Sequence, residues 1–309
     1  MISSENSLKN TEEIESLNNE IDYLKEILVS KIFEEDHLNS VTCRDIEIDY
    51  ALKFGVYKYK IKDYKLRIKK TKRTIQLIKK MVEKQENNLF NKDLDELEAN
   101  QIKINQTKIN KPKINMKEIE NHIENEFKQE DIEVESETAR VNILIDEHKN
   151  NLNKKIPQKE LDFAYKDCIR KLHPDILYDA NEYEETLFFN AKEAYEDKDL
   201  NELQSCQTLI EMHKIAHVPE TIDELEDYSK KLEIHIELEE MEISRIVNSK
   251  PYTQQKFLLD QKKVNNYREG LVKSLLEVEK EYIKFKRELS DLKKENNLTY
   301  KLDLTKGQN

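Results

Sequence analysis

The chain has 309 residues, 38% of them charged and 37% hydrophobic, with a formal net charge of −12, no Trp, three Gly and five Pro. So few turn-forming residues leave room for few tight turns and favour long helices, and so little apolar material argues against one thick core. The excess of acid disfavours a dominant nucleic-acid role. The composition alone would also suit disorder, and the periodicity described below decides against that for most of the chain.

In chain order, the first helix is expected over about 12–33. Ile14, Leu17, Ile21, Leu24 and Leu28 recur at three- and four-residue spacing and form one stripe. Residues 12–36 hold nine acidic residues and two lysines. Asn39, Ser40 and Thr42 suggest a break. A second helix is expected over about 45–85, where Tyr57, Ile61, Tyr64, Ile68, Thr71, Ile75, Ile78 and Val82 keep the same alternation. Residues 52–84 carry thirteen basic residues and two acidic ones. That density raises a nucleic-acid reading. The simpler reading is antiparallel pairing with the acidic helix before it, which sets opposite charges along the flanks and makes nucleic acid an unlikely partner.

Residues 101–117 repeat Lys-Ile-Asn at a five-residue period that fits neither helix nor strand, and Pro112 interrupts it. They read as a low-complexity linker, continued to 137 by an acidic stretch with Ile119, Ile123 and Phe127 on a possible helix face. A further hairpin is expected over 216–295. Its first helix carries Ile222, Leu225, Leu232, Ile236, Ile243 and Ile246, its turn lies at Asn248–Pro251, and its return helix runs from Val264 to Leu292. Gly270 falls inside that return helix at a cost of about 1 kcal/mol against Ala. The chain divides on this reading into an N-terminal coiled-coil hairpin (1–100), a linker (101–137), a small helical domain (138–215), a C-terminal coiled-coil hairpin (216–295) and a frayed tail (296–309).

The small central domain carries the chemistry. Pro157 can open a helix in which Leu161, Ala164, Tyr165, Cys168 and Leu172 share one apolar face. Lys166, Arg170 and Lys171 fall on another. Pro174 stops the helix, because proline disfavours helical geometry in the residue before it. A second helix begins near Glu182 and turns Phe188, Ala191, Ala194 and Tyr195 toward the first. His173 and Asp175 are thereby left at the connecting loop.

These residues, Tyr165-Lys166, then Lys171, His173-Pro174-Asp175, Phe188 and Ala194-Tyr195, resemble the J domain of DnaJ-type co-chaperones over about 50 residues from Pro157 to Leu203. The expected fold is all-α, with elongated helical hairpins flanking a small J-domain-like hairpin. The resemblance implies docking on a DnaK-type heat-shock chaperone and stimulation of its ATP hydrolysis. His173, Pro174 and Asp175 would contact that chaperone, with Lys166, Arg170 and Lys171 as a basic face for an acidic partner. The long arms would serve client binding or self-association. The family's first helix is not visible upstream, and the helix around Asn142-Ile143-Leu144-Ile145 is the expected substitute. Asp167 stands where the family usually carries a basic residue. The bare alternative is a structural protein whose hairpin only packs, with Asp175 capping a local turn.

Other constellations are weaker. His213 and His217 share a helical face, but the glutamate of zinc-protease helices is missing between them and no third ligand is evident. Cys168 is expected in the core rather than as a nucleophile. Gly55, Gly270 and Gly307 form no phosphate-binding loop. No enzyme activity, cofactor or metal is expected. Three cysteines far apart in sequence suit a reducing compartment. The absence of an apolar leader, or of any apolar run near the roughly 20 residues a bilayer needs, suits a cytoplasmic protein without membrane contact.

Overall fold

A computed structural model describes residues 2–99, 115–153, 157–212, 218–296 and 298, and every regular element among them is helical. The long helices are α1 (Ile2–His37), α3 (Val56–Ala99), α5 (Lys128–Asn153), α9 (Ile222–Val247) and α11 (Gln261–Glu295). The shorter ones are α2 (Arg44–Tyr50), α4 (Met116–Glu126), α6 (Gln158–Leu172), α7 (Glu182–Glu196), α8 (Leu200–Met212) and α10 (Gln255–Leu259). The chain forms two compact units. One combines 1–50 with 144–263, the other 51–143 with 264–309.

The expected break at 39–42 is helical. Residues Leu38–Cys43 form a π-helical segment that carries α1 into α2. Asn39 donates its side-chain amide to Glu35 at 3.2 Å, and the Ser40 hydroxyl donates to the Asp36 carbonyl one turn back. A hydroxyl that bonds one turn back bends a helix rather than ending it, and without Gly or Pro no reversing turn forms. In its own unit α1 pairs with α9 instead. The apolar stripe of α1 (Ile21, Leu24, Leu28, Val29, Ile32) meets Leu225, Tyr228 and Leu232 of α9 in one core with α6, α7 and α8. Lys25 lies over the Tyr228 ring and Lys31 bonds Glu240 at 3.0 Å, so the two helices run parallel.

In the second unit the basic helix does find acidic partners, on α4, α5 and α11. Lys62 meets Glu137, Lys69 meets Glu130 and Arg73 meets Glu126, at 2.6–3.0 Å and in antiparallel order. Lys72 meets Glu281 and Lys79 meets Glu288, a seven-residue step in parallel order. Much of the charge that suggested a nucleic-acid face is thus met within the unit. The acidic stretch that follows the Lys-Ile-Asn repeat is helical, as α4 and the first turns of α5. Met116, Ile119 and Ile123 of α4 bury against Ile78 of α3, and Leu298, placed in the expected tail, joins that cluster. The Lys-Ile-Asn repeat falls almost entirely outside the described residues. The turn expected at Asn248–Pro251 is present, but α9 belongs to the first unit and α11 from Val264 onward to the second.

Candidate functional site

The site is built on α6 and α7. Pro157 precedes the first turn of α6, and Leu161, Ala164, Tyr165, Cys168, Ile169 and Leu172 are buried along one face. The helix stops where Pro174 requires it. His173 is extended (φ −61°, ψ 128°) and its N–H still donates to the Ile169 carbonyl at 3.0 Å. Ile176 and Leu177 donate back to the His173 carbonyl, which closes a tight loop. Asn181 then caps α7 through a reciprocal pair of bonds with Glu184.

Every core residue expected for this hairpin is buried: Tyr165, Cys168, Leu172, Phe188, Ala191, Ala194 and Tyr195. The Tyr165 and Tyr195 rings stack with centroids 4.3 Å apart. Their hydroxyls leave the core by different routes. Tyr165 donates to Asp36 Oδ2 of α1 at 2.7 Å, and Tyr195 donates to Asp162 at 2.9 Å. Asp36, only 5% exposed, is balanced by Lys192 of α7 at 2.7 Å. Cys43, Cys168 and Cys206 are all free and buried, and burial pushes the Cys168 thiol up to about 12, which leaves it protonated at neutral pH.

The tip and the basic face are in contact with the same unit's long helices. The His173 ring lies edge-on to Phe188 at 4.6 Å, and its Nδ1 accepts from the Asp175 N–H at 3.1 Å. Burial drives His173 below its ordinary range, against the raising pull of Asp175 and Asp36. The Asp175 carboxylate lies 3.2 Å from His235 Nδ1 of α9. Tyr228 of α9 donates to the Ile176 carbonyl and Lys231 to that of Leu177. On the flank of α6, Arg170 makes a forked pair with Glu26 of α1 at 2.7 and 3.0 Å, and Lys166 sits 4.2 Å above the Phe33 ring. Lys171 pairs with Asp167 one turn away, and Asp167 also accepts from Gln207 of α8. Asp167 therefore ties α6 to α8.

Of the expected site residues, His173, Pro174 and Asp175 lie together at the tip and Lys166 and Arg170 share the side that faces α1, whereas Lys171 lies with Asp167 on the side toward α8. Sequence reasoning missed their neighbours Glu26, Phe33 and Asp36 on α1, and Tyr228, Lys231 and His235 on α9. No local signal marks them, since Tyr228, Lys231 and His235 lie beside the apolar frame of α9 rather than in it. Helix α6 packs against α8, α7 and α1, and the long helix on it is α1 rather than the one around Asn142–Ile145 expected from the resemblance.

His213 and His217 lie outside the described residues. Among the described residues, no group of three or more His, Cys, Asp or Glu could hold a metal ion, and no helix is long and apolar enough to cross a membrane. No family model, curated protein or solved structure matches the chain.

Proposed function

We propose that the α6–α7 hairpin is a J-like docking module that binds a DnaK-type heat-shock ATPase and stimulates its ATP hydrolysis. The observation that supports this best is the joint arrangement of the hairpin. A Pro-stopped loop closed by its own hydrogen bonds holds the half-buried His173 and Asp175, the stacked Tyr165–Tyr195 core holds the two helices together, and Arg170 is exposed with Lys166 half-buried on the helix that leads into the loop. Surface charge of one sign steers an acidic partner, while a rigid loop fixes its orientation. The work is a bias on another protein's catalytic state, so His173 has no need to transfer a proton.

A second reading is favoured by one contact. Asp175 already faces His235 of the same unit, as it would if the loop were only a packing element. Single-turnover ATP hydrolysis by a DnaK-type chaperone separates the two. The docking reading expects acceleration by the full chain, loss of it in His173→Gln with an unchanged circular dichroism spectrum, and roughly two- to five-fold tighter half-saturation in Glu26→Ala, which releases Arg170 from an exposed pair worth under ~1 kcal/mol. Equal hydrolysis with and without the wild-type chain ends that reading in favour of packing.

A further inference from the structure

Helix α9 carries two apolar stripes. Leu225, Tyr228, Leu232 and Ile236 face the core shared with α1. Ile234, Leu238 and Met241 recur at spacings of four and three and fall half a helical turn away from that seam. They are 57%, 46% and 59% exposed. One isolated exposed apolar side chain needs no explanation, but three in a helical row on a face with no core role do. Alternating three- and four-residue spacing is what a facing helix requires for its side chains to interlock.

Charge around the stripe selects the partner. Glu226, Glu233, Glu237 and Glu240 follow one another at helical spacing along one flank, and Glu233 and Glu237 are exposed. The basic residues at its ends are already engaged, Lys230 beside Glu226 and Asp227, and Arg245 with Glu242 at 2.6 Å. A second copy of α9 laid antiparallel on this face would bring two glutamate rows together, and one laid parallel would set the row against a flank whose Lys231 and His235 already bond the Leu177 carbonyl and Asp175. A helix with apolar residues at the same spacing and Lys or Arg beside them meets both features at once.

We propose that the Ile234–Leu238–Met241 stripe is a docking seam for a basic amphipathic helix of another protein. The apolar row supplies affinity, and the glutamate flank supplies sign selectivity and a fast, salt-dependent encounter. The surface is separate from the His173 loop, so it stands whether or not that loop engages a chaperone.

The test uses the full chain and a labelled leucine–lysine peptide about 18 residues long, with leucines at alternating three- and four-residue spacing. The expected result is saturable binding that weakens by about ten-fold or more in Leu238→Glu/Met241→Glu. The same peptide with its residues scrambled, and a leucine–glutamate counterpart, should bind far less. Both substituted positions are exposed, so thermal unfolding should not change. Glu233→Lys/Glu237→Lys should weaken the lysine peptide and strengthen the glutamate peptide. The proposal is overturned if the scrambled peptide binds as well as the patterned one, or if the double glutamate variant binds it unchanged. It is equally overturned if sedimentation shows a dimer that Leu238→Glu dissociates, since the occupant is then a second copy.

Discussion

In the unit built from 1–50 and 144–263, α1 and α9 meet although both are rich in carboxylates. Residues 12–36 hold nine acids against two lysines, and α9 holds nine acids against two lysines and one arginine. In the unit built from 51–143 and 264–309, a basic α3 is laced to acidic partners by ion pairs in regular register. Charge alone would have paired α1 with a basic helix. The apolar seam outweighed it, because burying one Leu or Ile side chain stabilises by about 1.5–3 kcal/mol, whereas an exposed ion pair contributes under about 1 kcal/mol. Charge pattern thus selects among partners only where apolar seams leave the choice open.

The sharpest way to break this comparison is to delete one side chain from each unit. Leu28 is fully buried in the α1–α9 core, so Leu28→Ala should cost about 3–5 kcal/mol in urea unfolding. Lys69→Ala removes an exposed pair to Glu130 and should cost about 0.5 kcal/mol or less. Raising salt toward 1 M should loosen amide protection along α3 and α5 more than along α1 and α9. Comparable losses from the two substitutions would mean that charge and apolar burial hold both units alike.

The same contrast shows how far the sequence could be read. The stop at Pro174, the burial of Tyr165, Phe188, Ala194 and Tyr195, and the exposed side of Arg170 are all local consequences of helical spacing around one proline. The partner of α1 was not local. The stripes of α3 and α9 were both acceptable matches for its stripe, and spacing alone does not choose between them. Glu26 and His235 reach the loop only because of that longer-range pairing, and nothing in their immediate neighbours announces it.

Pairing two acidic helices has a titration consequence. Glu239 on α9 has its Oε2 buried with no hydrogen-bond partner among the described residues. Burial first, then Glu35, Asp175 and Asp36, raise it from 4.5 to about 7. A carboxyl whose folded pKa is raised favours the fold while it stays protonated and penalises it once ionised, so this contribution is lost as pH rises through 7. His173 works in the opposite sense. Burial lowers it from 6.5 to about 4, so stability gains from it as pH rises through 4 to 6.5 and changes little above that. The two oppose each other in acid, and the window from pH 6.5 to 8 isolates Glu239. The first unit should lose about 0.5 kcal/mol across that window, because most of the loss accrues below 7 and solvent screens a half-buried site. Glu239→Gln should flatten the profile and stabilise the unit at pH 8. A wild-type profile as flat as the variant's would show that the acidic pairing carries no strain.

Two glycines of the second unit should give effects of opposite sign. A Cβ on Gly55 would meet Val141 Cγ1 at 2.8 Å, whereas a Cβ on Gly270 meets nothing within 4 Å. Gly55→Ala forces a branched side chain of α5 to give way and should cost about 1 kcal/mol, the low end for overpacking because one side chain absorbs the shift. Gly270→Ala lies inside α11, adds helix propensity without a clash, and should stabilise by about 1 kcal/mol. If ion pairs alone set the spacing of α3 from α5, the lysine stems would stretch and Gly55→Ala would be tolerated. A loss there would show that backbone approach at Gly55 fixes the register along which Lys62, Lys69 and Arg73 find their carboxylates.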